Sequence, residues 1–455
     1  MPKEPLNRRE FIIRTGAFVS LATLAGTTFA ASDSTEGRVQ RVALIGTGWY
    51  GKSDLFRLLQ VRDVEVVAIC DVDTRHLDEA ANLIAERQVS AKVPRKYTDY
   101  RKLLAENKLD LVLIGTPDHW HALQAIAAME AGAHVYLQKP VSVDVLEGEA
   151  VVATARRYNR KVQVGTQRRS TPHLLEAKRE IIDKGLLGKI SQVEMCCYYH
   201  MKSDANPPEQ AVPDFLDYEL WTGPAPLRPY DGLPHGSWWR AFMEYGNGIT
   251  GDMCVHMFDT VRWLLRLGWP EQISATGGTY VQKAGKSNIA DTQTAIFHYP
   301  ELDCVWQHRT WGTPTDPDYP WAFILHGEKG TLKGSTMKYE FIPLKGDKII
   351  KDVVYEKEEF PEDLTEPRIE LNAAPATRRH MEDLLQAIEG DRLPRADVQE
   401  GHISTACCIL ANMAMELGRP LKYDPEKRIC VNDPEATDRL ARQYRKGWQH
   451  PSFRI

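Results

Sequence analysis

The chain has 455 residues, with 57 Lys and Arg against 62 Asp and Glu and a net charge of −5, so it carries no basic footprint for a polynucleotide. With 43% hydrophobic and 26% charged residues it has the composition of a globular protein, and its length suits two domains of roughly 100–200 residues each. Beyond the N-terminal region no apolar run approaches the ~18 residues that span a bilayer, so no stable membrane anchor is expected.

Residues 1–31 read as a cleavable signal. Arg8 and Arg9 are followed by Phe11 and Ile12, then by a weakly apolar run rich in Ala, Gly and Thr that ends near Phe29, Ala30 and Ala31. Paired arginines before such a run match the twin-arginine pattern, whose exporter carries folded proteins. The expectation is a protein of a bacterial periplasm.

Residues 41–45 are an apolar strand pattern ending directly in Gly46-Thr47-Gly48-Trp49-Tyr50-Gly51, and a helical pattern follows with Leu55, Leu58 and Leu59 on one face. That context makes G-x-G-x-x-G informative. Gly46 permits the tight turn, Gly48 lets backbone approach a pyrophosphate, and Gly51 lets helix and strand pack closely. The phosphates are expected at the helix N-terminus, where N–H groups point outward. Val64–Cys70 reads as a second buried strand ending at Asp71, 20 residues past Gly51. A carboxylate there accepts both ribose hydroxyls and repels a 2′-phosphate, so NAD is expected, with NADP disfavoured.

The pattern continues with a helix over 75–87 and a strand over 109–114 that leads into Thr116-Pro117-Asp118-His119-Trp120-His121. A helix over 122–131 and the strand His134–Leu137 lead to Gln138-Lys139-Pro140, and Val162–Val164 is the last strand. Alternating strands and helices predict a doubly wound parallel sheet over 38–165, with ligands beyond the C-terminal strand ends. Thr116, Pro117, His119, His121, Gln138 and Lys139 all fall there.

From Gln167 the texture changes. Alternating patterns over 190–200, 273–281, 292–298, 304–310 and 323–326 predict a largely antiparallel open sheet. With helices over 377–389 and 400–417, this makes an α+β domain spanning 166–455. Residues 207–234 are proline-rich and loop-like, with aromatics among them. Asp252 and His256, four apart, open a helix that runs to Leu265. Two readings stand: a carboxylate holding an imidazole in one tautomer as a general base, or a structural pair with Asp252 as a cap. A metal site would need a third ligand, and none is expected. The eight cysteines form no CxxC and read as buried free thiols, compatible with folding in a reducing cytosol.

Together Gly46–Gly51, Thr116–His121, Lys139-Pro140 after a strand and Gly251-Asp252-x-x-x-His256 resemble the glucose–fructose oxidoreductase / inositol dehydrogenase / rhizopine catabolism (Gfo/Idh/MocA) family. The resemblance covers nearly everything from about Arg41 onward. It implies that Lys139 lies beside the nicotinamide and the reacting hydroxyl, that His256 takes the hydroxyl proton, and that Asp252 positions the base or the substrate. One departure is Gln138, where the family has Glu; a glutamine still hydrogen-bonds but adds no negative charge beside Lys139.

Gln167, Arg168 and Arg169 follow a strand end, and Tyr198, His200, His235, Trp238, Trp239 and Arg240 offer aromatic faces with hydrogen-bonding groups. That mixture suits a carbohydrate or polyol, which the resemblance also implies. The expected activity is a sugar or polyol oxidoreductase with tightly bound NAD, since no soluble NAD pool is expected outside the inner membrane. The alternative is a redox-neutral NAD-dependent glycosidase working by oxidation, elimination, hydration and reduction. An open sheet face leads to an expected dimer or tetramer of identical chains.

Overall fold

The computed structural model describes residues 39–199 and 204–455. The signal at Arg8 and Arg9, and His200, lie outside the described residues. Strands β1 Gln40–Ile45, β2 Val64–Cys70, β3 Arg95–Tyr97, β4 Leu111–Ile114, β5 His134–Leu137 and β6 Val162–Val164 form one sheet. Its order is β3-β2-β1-β4-β5-β6, with every pairing parallel. The central strands are continuous apolar runs because both sheet faces are covered. Helices Tyr100–Glu106, His121–Glu130 and Val145–Arg157 cover one face, and helices Trp49–Val61 and Thr74–Arg87 the other. A late helix, Ala374–Glu389, joins that second layer and packs Met381, Leu384 and Leu385 into the same core as Leu44, Leu55 and Leu58. The order reverses between β1 and β4, the switch point at which such sheets bind ligands.

The second sheet has β7 Ile190–Cys197, β8 Gln272–Gly278, β9 Thr292–Tyr299, β10 Leu302–Arg309, β11 Trp321–Gly327, β12 Gly330–Ser335, β13 Lys338–Pro343 and β14 Ile349–Asp352. Its order is β14-β13-β12-β11-β7-β10-β9-β8, and the β7–β10 pair is parallel while the others are antiparallel. The architecture is therefore α/β, a doubly wound sheet followed by a largely antiparallel one. Period-2 patterning aims Val193, Met195 and Cys197 of β7 into a core shared with helices Val255–Leu265 and Val398–Leu417. Strands β12 to β14 were not anticipated. Gly330 and Gly334 interrupt the pattern of β12, and Gly334 is required because a Cβ there would lie 2.1 Å from the Phe323 ring. All eight thiols are unpaired and seven are buried. Among the described residues, no helix is long and apolar enough to cross a membrane.

The C-terminal tail fixes the loop beneath the site. The Arg442 guanidinium donates to the carbonyls of Met243 (2.6 Å) and Gly246 (2.9 Å) and to Asn247 Oδ1 (2.8 Å). Its backbone N–H and His450 Nε2 both bond Asp144 Oδ2 at 2.9 Å. Asp144, Glu147 and His450 cluster tightly enough to hold a cation. Their atoms are instead taken up internally: Asp144 Oδ1 accepts from the Glu147 N–H, Glu147 from the Val143 N–H and the Tyr444 hydroxyl, and His450 Nδ1 from the Ser452 N–H.

Candidate active site

Gly46 turns the chain out of β1 with φ +87°, and a Cβ there would sit 2.6 Å from the backbone of Gly115 and Thr116. Gly51 lies so close to this turn that a Cβ would fall 2.0 Å from the Gly46 carbonyl oxygen. Gly48 caps helix Trp49–Val61 with no side-chain cap, and a Cβ built on it meets nothing within 4 Å. The first-turn N–H groups thus face a cavity of about 520 Å³. Its walls include Gly46, Gly48, Trp49 and Tyr50, then Asp71, then Thr116 and Pro117. Asp71 Oδ2 accepts from the Thr47 N–H (2.7 Å) and hydroxyl (3.1 Å), so Thr47 braces the acid from behind. An uncapped helix start, a glycine with open space before it and an acid at the end of β2 fit a dinucleotide without a 2′-phosphate.

A second cavity of about 500 Å³ adjoins the first and shares Trp49, Tyr50, Gly115, Thr116 and Arg240 with it. Lys139, at the end of β5, crosses it to the π-helical turn Thr250–Cys254. There Lys139 Nζ donates to the Asp252 carbonyl (2.9 Å) and pairs with its carboxylate, which Arg240 Nε also reaches at 3.2 Å. Burial pushes the Asp252 carboxyl up, but the charges of Lys139 and Arg240 outweigh it and hold the group below its usual range. The carboxylate is thereby taken up by two cations. Among the described residues it makes no hydrogen bond to His256, which corrects the reading of Asp252 as the group that fixes the imidazole.

His256 lines the same cavity, edge-on to Trp321 with ring centroids 5.4 Å apart, and its buried Nδ1 has no partner among the described residues. Burial, then the charges of Lys139, Arg168 and Arg240, lower its pKa well below the ordinary histidine value. The ring is uncharged at neutral pH. Asp118, also on this wall, is pushed up to about 8 by burial against the opposing charges of Arg240 and Lys139. Gln138 Nε2 donates to Asp54 Oδ2 at 2.6 Å, and its Oε1 accepts from the Lys139 N–H at 3.2 Å. Asp54, raised to about 7 by burial, thus places a carboxyl next to the position where the family carries Glu.

The remaining expected residues divide. His121 lines the second cavity, with Nδ1 2.6 Å from the Pro140 carbonyl oxygen and Nε2 3.0 Å from that of Thr116. His119 faces the interior, against the Trp221 carbonyl (3.0 Å) and the rings of Trp221 and Tyr245, and is not a cofactor contact. The 3₁₀ turn Asp118–Trp120 explains this, because successive side chains there diverge by a third of a turn. Trp239 lines the nucleotide cavity and Arg240 both cavities. Gln167 stands behind Tyr50, donating to its hydroxyl at 3.0 Å.

Two expected substrate contacts are corrected. Arg169 turns into the core, where Nε and Nη2 hold Asp259 at 2.7 and 2.9 Å. Its neighbour Arg168 lines the cavity instead. Tyr198, the residue after β7, lies under Arg309, and Tyr199, one residue on, reaches the cavity. Asp118, Tyr199, Trp321 and Glu370 were not anticipated. Strand alternation past Cys197 could have found Tyr199, whereas Glu370 lies in irregular chain with no pattern to read.

A doubly wound sheet with a dinucleotide cradle, whose strand-end lysine reaches a carboxylate of a second, mixed-sheet domain in a cavity that an imidazole also lines, defines a two-domain dinucleotide-binding protein. Residues 40–166 match the oxidoreductase family NAD-binding Rossmann fold, and residues 175–301 and 329–450 match the same family's C-terminal alpha/beta domain. The chain belongs to the Gfo/Idh/MocA oxidoreductase family.

Among curated relatives, a Glycosyl hydrolase family 109 protein of Shewanella baltica is 38% identical over 123 residues. An Alpha-N-acetylgalactosaminidase of Shewanella oneidensis is 36% identical over 123 residues. Each match spans 26% of this chain and 26% of the relative. An oxidoreductase from Agrobacterium radiobacter, solved with NAD+, L-tartaric acid and magnesium, superposes with a TM-score of 0.64 at 17% identity, over 85% of this chain and 98% of that one. The WlbA dehydrogenase from Bordetella pertussis, solved with NADH and UDP-GlcNAcA, gives 0.62 at 20% identity, over 85% and 99%. At these identities the two structures share the fold.

Proposed function

We propose that the protein is an NAD-dependent oxidoreductase acting on a secondary or anomeric hydroxyl of a carbohydrate or polyol, with NAD preferred to NADP. The observation that carries this reading is the convergence of Lys139, Asp252 and His256 on one cavity that opens into the nucleotide cavity. NAD, held along the Gly46–Gly51 turn and Asp71, would supply the hydride acceptor for the carbinol carbon. Lys139 presents its remaining N–H to the substrate oxygen, where negative charge develops as the proton leaves. Asp252 anchors that ammonium, and Arg240 helps fix the carboxylate. His256 is uncharged and free to accept the hydroxyl proton. Its low basicity makes the step depend on Lys139 acidifying the hydroxyl. Asp71 supports NAD over NADP by placing a carboxylate at the cavity rim.

A second reading is favoured by the glycosidase names of the relatives. Oxidation of a glycoside hydroxyl acidifies the neighbouring C–H, the aglycone leaves by elimination, water adds, and the ketone is reduced again. The same lysine and imidazole serve both readings. The paired arginines at Arg8 and Arg9 support export by the twin-arginine route to a periplasm, with NAD loaded beforehand and tightly held. The outward face of the second sheet supports a dimer or tetramer, which sedimentation would test.

The decisive experiment starts from protein purified from the exported fraction without added nucleotide. Denaturation should release NAD(H) in stoichiometric amount, with little NADP(H). Adding sugars and glycosides to the intact protein should raise NADH absorbance if it is a net oxidoreductase. Free aglycone without consumption of a second sugar would identify the glycosidase. A protein that carries no nucleotide and is not activated by added NAD would sink both readings.

A further inference from the structure

Five arginines are buried among the described residues: Arg57, Arg168, Arg169, Arg262 and Arg378. Four have a carboxylate partner. Arg57 pairs with Glu366, Arg169 with Asp259, Arg262 with Glu400, and Arg378 with Asp363. Arg168 is the exception. It is 3% exposed, its Nε and Nη1 have no hydrogen-bond partner, and no carboxylate among the described residues lies within ion-pair reach. Its guanidinium stands 5.3 Å from the centre of the Trp321 ring and faces the cavity that holds Lys139 and His256.

A buried guanidinium without a counter-charge is unfavourable unless something else supplies one. The chain does not supply it. In the same cavity Lys139 and Arg240 share Asp252, and Glu370 accepts from the Tyr50 hydroxyl at 3.3 Å. Lys139, Arg168 and Arg240 thus face Asp252 and Glu370, leaving one excess positive charge, and that charge falls at Arg168. Asp118 does not offset it, because burial keeps it protonated at neutral pH. The dinucleotide phosphates do not supply it either, since the Gly46–Gly48 turn opens on the other cavity, which Arg168 does not line.

We propose that Arg168 is the carboxylate-binding group of the substrate cavity, so that the preferred substrate is an acidic sugar, a uronic acid or its glycoside. A guanidinium lining a cavity donates charge-assisted hydrogen bonds to a carboxylate, roughly twice as strong as those it gives a neutral hydroxyl. This inference rests on the reading of the cavity as a sugar site.

The test is calorimetric titration of the full-length, NAD-loaded protein with matched ligands: the methyl glycosides of D-glucuronic and D-galacturonic acid, their methyl esters, and the neutral methyl hexosides. The free acids should bind on the order of tenfold to a hundredfold more tightly than their esters. Arg168→Gln should abolish that difference and Arg168→Lys should keep part of it, with NAD content and circular dichroism as checks on folding. Should Arg168→Gln fail to fold, the acid-to-ester ratio of the wild type and of Arg168→Lys decides. Equal binding of acid and ester, or a preference that survives in Arg168→Gln, overturns the proposal. Neutral hexosides that bind as well as the acids and reduce the NAD would overturn the acidic subsite and leave the oxidoreductase reading standing. Acid preference with neither NADH formation nor aglycone release would do the reverse. Binding of no member of the panel would overturn both.

Discussion

Lys139 and Asp252, 113 residues apart, meet where the parallel sheet faces the turn before helix Val255–Leu265, and the ammonium holds both the carboxylate and the backbone carbonyl of the same residue. One lysine is thereby fixed from two directions. Asp252→Asn should free the ammonium from its place without emptying the nucleotide cavity. We expect kcat to fall about a hundred- to a thousandfold, with bound NAD unchanged. Lys139→Ala should fall comparably, and the double variant should lose little more than either alone, because the pair acts as a unit. Steady-state kinetics with nucleotide quantification on each variant would decide, and additive losses would speak against the pairing.

Asp118 predicts a pH effect on stability with a definite sign. Its carboxyl is raised from the ordinary 3.8 to about 8, so between those values the folded chain binds a proton that the unfolded chain has released. Asp118 therefore costs stability progressively as pH rises through that window. Asp118→Asn removes the slope. Its stability relative to wild type should climb from pH 4 to about 8 and then level off, by a total on the order of a few kcal/mol. Denaturant melts at several pH values would show it; a difference independent of pH would refute it.

Gln138→Glu restores the family residue and should nevertheless destabilise this chain. The substitution replaces the amide donor 2.6 Å from Asp54 Oδ2 by a second carboxyl. The cost should be about 1–3 kcal/mol and greatest above pH 7, where Asp54 also ionises. Adding Asp54→Asn should recover most of it by returning a donor to the pair. Melting temperatures of the single and double variants about one and a half pH units below and above neutrality would test this.

Arg169→Met should act on stability and not on substrate affinity. It strands Asp259, which is fully buried, and should cost about 3–5 kcal/mol. KM in the surviving folded fraction should stay near wild type. A large KM change without destabilisation would return Arg169 to the substrate site.

What the linear chain discloses and what it hides follow from how far each cause acts. The cradle at Gly46–Gly51 was legible because strand, turn and helix start are consecutive and each glycine answers a local constraint. Asp71 was legible by spacing alone. The choice between Arg168 and Arg169, or between Tyr198 and Tyr199, turns on one step of a 3₁₀ turn or a strand, where neighbours of the same chemistry point opposite ways. The partner of Asp252 was hidden for another reason: the two helical neighbours Asp252 and His256 looked mutually sufficient, and the cations that claim the carboxylate come from distant segments. Strand β12 was hidden by Gly330 and Gly334, the second of which makes room for Phe323.

Helix Ala374–Glu389 completes a layer begun by residues near position 50, and Asp144 waits for Arg442 and His450. During synthesis, the dinucleotide cradle therefore emerges from the ribosome some three hundred residues before the parts that seal its own core. Until then, the Leu55 and Leu58 flank of its first helix is uncovered, and the nascent chain is a client for holding factors. The nucleotide cavity is finished as late as that core, since Trp239, Arg240 and Arg368 line it beside Gly46 and Asp71.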